Sequence, residues 1–463
     1  MKVKIFKFVL LILIFAGITE IAGCSFFLPE AVENMTVDSN GRMQKEWTIL
    51  VYMAADNDLE CYALQNLKDM EYAVLKKRAN VLVLLDRAED YDETDGNWTD
   101  TRLFEVKHDS TNGSSVISKR LDCPSLGLSK NSETELDMAN GNVLRKFIEF
   151  GKAQYAAKKY ALIIWGHGTG WRYSVTEGNL PVCGELLAGK NTAGKLPACK
   201  EESAGGRAVA IDQRTNSYMS VSDLGKAVKN EGLSLIGFDT CFGAVFENIY
   251  ELKDSCEYIA AVPGVSPSCG WKYKYFLEAL SSSDFEVKTA ATLMAQSSTV
   301  KASVFDCKKL SLVMQSLEDF SKELAGSVTD DNSRNGLLAK LKNLPAYSYN
   351  QYPCDLFLDI RSMANAFLQD ECTELARSAQ KLCSAMDSAA FSTGGGKSLC
   401  GIHFIPMEAE GVMATSHSKD YIKAADNTDN TEQCAFIKES RWWVPASGGK
   451  SESLLDKLFY RTY

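Results

Sequence analysis

The sequence predicts an α/β fold with a mostly parallel central sheet flanked by helices, followed by a smaller, mainly helical C-terminal region. Two observations carry this prediction. Apolar runs of strand length recur at 47–53, 81–85, 160–165, 233–238 and 258–262. They are continuous rather than alternating, as strands buried on both faces are. Stretches with apolar residues at helical spacing separate several of them, and a strand–helix repeat implies a parallel sheet. Two runs end abruptly in small or reactive residues, Trp165-Gly166-His167-Gly168 and Asp239-Thr240-Cys241-Phe242-Gly243. Ligands and catalytic groups collect outside the carboxyl ends of such strands.

At 463 residues the chain exceeds one ordinary core, so two or three domains are expected. The net charge of −10, without a long basic run, argues against a nucleic-acid partner. The start is specific: Lys2, Lys4 and Lys7, then the apolar stretch Phe8–Ile18, then Ile21-Ala22-Gly23-Cys24. This pattern is that of an export signal, and the apolar run is short for a membrane span. A Cys directly after Ala-Gly is similar to the bacterial lipobox, in which that Cys is lipidated; a plain signal peptide or membrane anchor is the other reading. The expected organisation is a signal at 1–23, a polar tether at 24–46, an α/β domain at 47–300 and an α+β domain at 301–463.

Fourteen cysteines are many for an exported chain. Without Cys24 and Cys241 twelve remain, scattered and without CxxC pairs. They read either as disulfides or as buried small apolar residues. The four histidines, His108, His167, His403 and His417, form no zinc pattern, so no metal site is assigned.

The elements follow in order. Trp47–Met53 is a buried strand. Asn57 caps a helix carrying Leu59, Leu64, Leu67 and Met70, with Glu60 placed as in a capping box. Strands follow at Val81–Leu85 and Leu103–Val106. A helix runs from Ser132 or Glu133 to about Tyr155, with Leu136, Leu144, Phe147, Ile148 and Tyr155 as its stripe. Tyr160–Trp165 is the strand that ends at His167. The stretch from Trp171 to Gly206 is glycine-rich and aperiodic, a long loop of the functional or disordered kind. Strand Ala208–Ile211, a helix capped by Ser220, strand Leu233–Phe238 and a helix over Gly243–Leu252 come next. Tyr258–Val262 is a strand and Pro263–Gly270 a turn-rich loop. Helices near Tyr273–Leu280 and Val287–Ser298 close the domain. The remainder holds a strand at Ser303–Asp306, helices near Leu310–Ala325, Leu337–Leu344, Leu358–Leu368 and Glu374–Ser388, and a strand at Ser398–Pro406. Trp442-Trp443 reads as packing against the main domain.

A Cys at a strand end, at the start of a helix, gains thiolate character from the helix dipole. A His at a neighbouring strand end can protonate a leaving amine. A glycine after the His lets a backbone N–H approach substrate closely, and with the Cys241 N–H it would form an oxyanion hole. From spacing alone the His and Cys are equally readable as an ordinary loop and core residue. No Gly-rich phosphate loop follows a strand, so a nucleotide-binding protein is disfavoured.

Leu162-Ile163-Ile164-Trp165-Gly166-His167-Gly168 and Leu235-Ile236-Gly237-Phe238-Asp239-Thr240-Cys241, 74 residues apart, resemble the clostripain family of cysteine peptidases, of the caspase-like clan. Tyr52–Glu60, Gly270-Trp271-Lys272-Tyr273 and Cys400–Pro406 are similar to further family segments. The resemblance implies a caspase-like fold and a peptidase with His167 as the catalytic His and Cys241 as nucleophile. It implies Gly168 and Cys241 as oxyanion donors and Asp239 as an S1 carboxylate favouring Arg or Lys. It also implies self-cleavage within 172–207, where Lys190, Lys195, Lys200 and Arg207 lie. Calcium activation occurs in the family. Asp56, Asp58 and Glu60 are read either as an acidic cluster for it or, preferably, as a solvated helix start. Where the family often carries an acidic or amide residue this chain has Ser268-Cys269, which weakens the expectation for Arg or Lys. The first expectation is a surface-anchored cysteine endopeptidase lipidated at Cys24 and acting on peptides. The alternative is a non-catalytic envelope lipoprotein of the same fold.

Overall fold

The computed structural model describes residues 36–37, 41, 43–75, 78–89, 91–111, 113–168, 170, 209–215, 217–347, 356–393, 397, 399–404, 435–436, 440, 442 and 454–459. The chain divides into two compact units, Met1–Gln44 and Lys45–Tyr463. In the first, Thr36 and Val37 pair antiparallel with Gln44 and Met43. All that follows concerns the second.

Its main sheet is built from β1 (Met43–Ala55), β2 (Ala79–Arg87), β3 (Thr101–Glu105), β4 (Lys119–Arg120), β5 (Ala157–Trp165), β8 (Leu235–Asp239), β9 (Tyr258–Ala261), β10 (Ser303–Asp306) and β13 (Ala390–Ser392), with β6 (Ala210–Asp212) and β7 (Ser217–Met219) forming a separate hairpin. The strand order is β13-β10-β9-β8-β5-β1-β2-β3-β4. The central β9-β8-β5-β1-β2 run is parallel, and the outer strands are antiparallel. The chain leaves β1 for β2 on one side and later returns through β5 on the other. The crevice where the order reverses therefore opens at the carboxyl ends of β1 and β5.

Strand alternation sorts the apolar residues onto two faces. Leu50, Tyr52, Leu82, Leu84, Leu162, Ile164, Ile236 and Phe238 join one core. Ile49, Val51, Met53, Val81, Val83, Ile163 and Trp165 join the other. Helices α2 (Gly141–Gln154) and α3 (Val221–Val228) cover the first face, and α1 (Glu60–Glu71), α5 (Tyr273–Ser282) and α6 (Val287–Ser297) cover the second. Burial on both faces explains why the central strands read as unbroken apolar runs.

Several elements differ from the sequence expectation. The helix expected from residue 132 or 133 starts at Gly141, capped by the Asn140 side chain. The preceding stretch is spent on tertiary bonds: Leu136 N–H donates to Thr101 Oγ1 at 2.9 Å, and Met138 N–H to Asp212 Oδ2 at 2.9 Å. The helix expected from Gly243 is a turn followed by α4 (Phe246–Glu251). Cys241 consequently sits in a turn and not at a helix start.

The sheet continues past residue 300. Strand β10 pairs with β9, and β13 pairs with β10. Behind them stand α7 (Leu310–Gly326), α8 (Asp331–Lys342) and α10 (Thr373–Ala389). A smaller sheet joins β11 (Ala346–Tyr347), β12 (Leu356–Asp359) and β14 (Gly401–Phe404), with α9 (Ile360–Asn365) following β12. It backs the Cys241 turn. Gly401 N–H donates to Ala244 O at 2.9 Å, and Phe357 packs on Phe242 with ring centroids 5.2 Å apart. His403 is buried in β14 at 1% exposure. Its N–H donates to Glu247 Oε1 at 2.9 Å. Trp442 is fully buried and donates Nε1–H to His403 O at 3.0 Å, as packing requires. Cys61 is disulfide-bonded, whereas Cys256 and Cys307 are free thiols with sulfurs 3.7 Å apart. Cys24 and the 172–207 loop lie outside the described residues.

Glu247 is fully buried on α4, and burial pushes its carboxyl up to about 8, against the pull of the His403 N–H. A raised carboxyl contributes stability that is complete below the unfolded value of 4.5 and is lost as pH rises through about 8. Glu247→Gln is expected to remove this loss. Thermal melts from about pH 5 to about pH 9 should show the variant gaining on the parent by up to about 1.4 kcal/mol per pH unit. Parallel curves would show that Glu247 is ionised in the folded state.

Candidate active site

The site follows from strand register. In the β5–β8 ladder Trp165 stands opposite Asp239. His167 and Cys241 each leave their strands two residues later, at the same level of the sheet edge. Gly166 N–H donates to Asp239 O at 3.4 Å and keeps the two exits together. The next contact is tighter. A Cβ on Gly168 would overlap the Cys241 carbonyl oxygen and would press on Thr240 Cβ at 2.7 Å. Only glycine fits between the His and Cys turns.

Cys241 is 5% exposed. Its sulfur accepts the Ser266 N–H at 3.2 Å. Phe242 follows in the left-handed region, at φ +52°. A bulky residue adopts that conformation only under constraint. Here the constraints are Phe242 N–H to Gly264 O at 2.8 Å, Ala244 N–H to Val262 O at 2.8 Å, and a fully buried ring. The thiol is thus positioned by a strained turn and by the 262–266 backbone. The helix-dipole contribution expected from the sequence is not available to it, because α4 begins five residues later.

His167 has a partner that the sequence reading did not assign. Its Nε2 lies 2.5 Å from Asp58 Oδ1, in the turn after β1. This bond occupies one ring nitrogen and leaves Nδ1 for the other side of the ring. Burial would lower the imidazole value; Asp58, through charge and hydrogen bond, and the Cys241 group raise it, and the net direction is up from 6.5. For Asp58 burial acts upward, but His167 prevails and the carboxyl is held below its ordinary range.

Asp56, Asp58 and Glu60 therefore form neither a shared cluster nor a solvated helix start. Asp58 serves His167. Glu60 is fully buried, paired with Arg87, and accepts the Asp92 N–H at 2.9 Å. Asp56 is 3% exposed and accepts the Arg214 N–H at 3.0 Å. The partners stand 109, 27 and 158 residues away, at separations that local spacing cannot reveal.

Asp239 lines the cleft beside Cys241, with Leu59, Trp165, His167, Ser266 and Gly270. Its Oδ2 accepts the Trp271 N–H at 3.0 Å and the Tyr273 hydroxyl at 2.8 Å. Burial pushes the carboxyl up to about 7 while these donors pull it down. Asn66 joins the two walls: it accepts Trp165 Nε1–H at 2.7 Å and donates to Cys269 O at 2.8 Å. Gly237 lets Trp271 lie over β8, since a Cβ there would stand 3.0 Å from the indole. The cleft encloses about 20 Å³. That is room for about one water molecule.

The Clostripain family profile matches residues 51–191 and 197–439. Clostripain of Hathewaya histolytica is 32% identical over 146 residues, 30% of this chain and 27% of that protein, so the aligned stretch spans about a quarter of the relative's length. Two solved structures share the fold. A secreted C11 cysteine protease from Bacteroides thetaiotaomicron, in complex with an irreversible peptide inhibitor, has a TM-score of 0.52 at 16% identity, covering 81% of this chain and 96% of that one. An inactive zymogen C11 protease from Parabacteroides distasonis has a TM-score of 0.54 at 17% identity, covering 82% and 96%. The caspase-like arrangement expected from the sequence is the one observed.

With only four histidines in the chain, the His167 imidazole is readable by NMR titration. Its midpoint should lie above 6.5 and fall in Asp58→Asn while the fold is kept. An unchanged midpoint would remove Asp58 from the site. Gly168→Ala should cost about 1–3 kcal/mol in melts, as overpacking does.

Proposed function

The chain belongs to the clostripain family, and from that premise we propose that it is a cysteine endopeptidase in which Cys241 is the nucleophile and His167 the acid–base group. The observation that carries this is the same-level exit of His167 and Cys241 from β5 and β8, with Gly168 against Cys241.

The thiol proton passes to the His167 nitrogen not held by Asp58, and the sulfur attacks the scissile carbonyl carbon. The oxyanion of the tetrahedral intermediate is taken by the Gly168 and Cys241 N–H groups. The imidazolium gives its proton to the leaving amine, and the acyl group remains as a thioester. Water, losing a proton to His167, attacks the thioester and releases the acid, and the sulfur recovers the proton. Asp58 keeps the imidazole oriented and favours its charged form while that form exists.

For specificity we place Arg or Lys before the cleaved bond, with Asp239 as the carboxylate that receives it. Ser266, Pro267, Ser268 and Gly270 line the cleft together with Asp239, so this loop frames the place such a side chain enters. Self-cleavage falls within 172–207, next to Lys190, Lys195, Lys200 or Arg207. Lipid on Cys24 holds the enzyme at the cell envelope.

Fluorogenic peptides ending in Arg, Lys or a neutral residue, under reducing conditions, test the reading. Arg and Lys peptides should turn over, and Cys241→Ala should lose at least about 10³-fold in kcat/KM. No turnover of any peptide by folded, loop-cleaved protein would leave the non-catalytic envelope lipoprotein as the reading. Asp239→Asn should lose activity on basic peptides and not on neutral ones. Purified Cys241→Ala should stay uncut; nicking like the parent's would rule out self-cleavage.

A further inference from the structure

At the amino-terminal end of β9, on the sheet edge opposite the His167–Cys241 site, two thiols meet. Cys256 stands two residues before β9, and Cys307 directly follows β10. The two strands run antiparallel with Tyr258 opposite Asp306, so the cysteines flank the last pair of that ladder. Cys307 N–H donates to Glu257 O at 3.0 Å, which carries the pairing one step past the strands. The sulfurs lie 3.7 Å apart, although the residues are 51 apart in the chain.

Both thiols are free. Cys307 is 3% exposed, whereas Cys256 is half-buried beside the exposed Glu257, so the pair lies at the rim of the core. Other buried free thiols meet different groups: Cys123 a serine hydroxyl, Cys383 the Arg361 guanidinium and Cys400 the Gly401 carbonyl. A buried thiol that only fills space has no need of a second sulfur. A disulfide requires sulfurs about 2.05 Å apart and backbones close together. The backbone at Cys256 and Cys307 is already at ladder spacing, so the bond forms by turning two side chains and not by moving strands.

We propose that Cys256 and Cys307 are a redox-active pair that closes to an intramolecular disulfide, with a low-molecular-weight disulfide as the oxidant. Cys256, the more accessible of the two, gives its proton to solvent and attacks one sulfur of the oxidant. That S–S bond breaks and one thiolate leaves. Cys307, likewise deprotonated, attacks the Cys256 sulfur of the mixed disulfide and expels the second thiolate. The pair loses two electrons and two protons, and the oxidant is reduced to two thiols. The export expected from residues 1–23 would carry the chain to a compartment where such a bond persists.

The bond would close a loop that holds β9, the stretch 262–270, α5, α6 and β10. That loop contains Val262, Gly264 and Ser266, whose backbone groups hold the Cys241 turn. Closing it narrows the unfolded ensemble and so favours the folded state. The cross-link braces the scaffold behind Cys241 from the far end of β9, without entering the cleft. It does not depend on the peptidase reading, since neither sulfur belongs to that site.

The test uses full-length Cys241→Ala protein, reduced with dithiothreitol, freed of it and treated with oxidised glutathione. Tryptic mapping without reduction should show peptide 302–308 linked to peptide 254–272, lighter than the two free peptides by two hydrogens. Fragment spectra should place the bond on Cys256 and not on Cys269. The oxidised protein should melt at least about 3 °C above the reduced one, and dithiothreitol should reverse the shift. Cys256→Ser should lose both the linked peptide and the shift. Should that variant not fold, Cys307→Ala should lose both. No linked peptide in the folded parent, a bond from either cysteine to a third one, a linked form that melts no higher than the reduced form, or a full shift in the variant would each overturn the proposal.

Discussion

The structure turns on the register of two neighbouring parallel strands. Trp165 pairs with Asp239, and everything chemical at the sheet edge is measured from that pair. A slip of one residue would exchange the two faces of β8. Phe238 would leave one core and Asp239 would leave the cleft. The apolar alternation that sorts these strands between two cores therefore also fixes where His167 and Cys241 emerge. The contact of Gly168 with the Cys241 turn is possible only because both turns begin at the same height. The meeting of the His167 and Cys241 turns is thus a by-product of core packing, with one glycine recording how close the approach is.

Acidic residues are the second organising feature, and each has been taken out of water for a separate purpose. Asp58 orients an imidazole. Asp239 anchors the Trp271–Tyr273 turn. Glu60 meets Arg87 within the core. Glu247 gathers the β14 backbone. A buried carboxylate is expensive unless donors reach it, and here the donors are side chains together with loop and strand N–H groups, all from segments distant in the chain. The loops are ordered by the carboxylates as much as the carboxylates are satisfied by the loops. This exchange ties the late strand β14 to the turn behind Cys241, so the smaller sheet supports the site without lining its cleft.

The strands, the two-faced core and the placing of His167 and Cys241 just past neighbouring strand ends were legible in the sequence, because buried parallel strands are written as continuous apolar runs with abrupt ends. The misreadings share one cause. Leu136 falls on the stripe of the helix that follows, yet Thr101 and Asp212 claim the backbone of 136–138 and the helix waits until Gly141. Glycine and apolar residues after Cys241 resemble a helix start, yet Gly264 and Val262 claim the N–H groups of Phe242 and Ala244. Asp56, Asp58 and Glu60 sit at alternate positions, and nothing local says that each meets a different distant partner. Long-range hydrogen bonds to backbone override local pattern, and they gather around the site, where the chain departs most from regular structure.

Asp239 shows how specificity and ionisation can be one problem. On the proposed reading it receives a cationic side chain, yet in this conformation its Oδ2 is held by Trp271 N–H and Tyr273 O–H, and the cleft beside it has room for little more than water. With its carboxyl pushed up to about 7, it is not fully ionised near neutral pH. On that reading, a guanidinium or ammonium arriving there favours the ionised carboxylate. A neutral side chain would not gain that charge pair. On that reading selectivity comes from the presence or absence of a compensating charge more than from the shape of a preformed pocket.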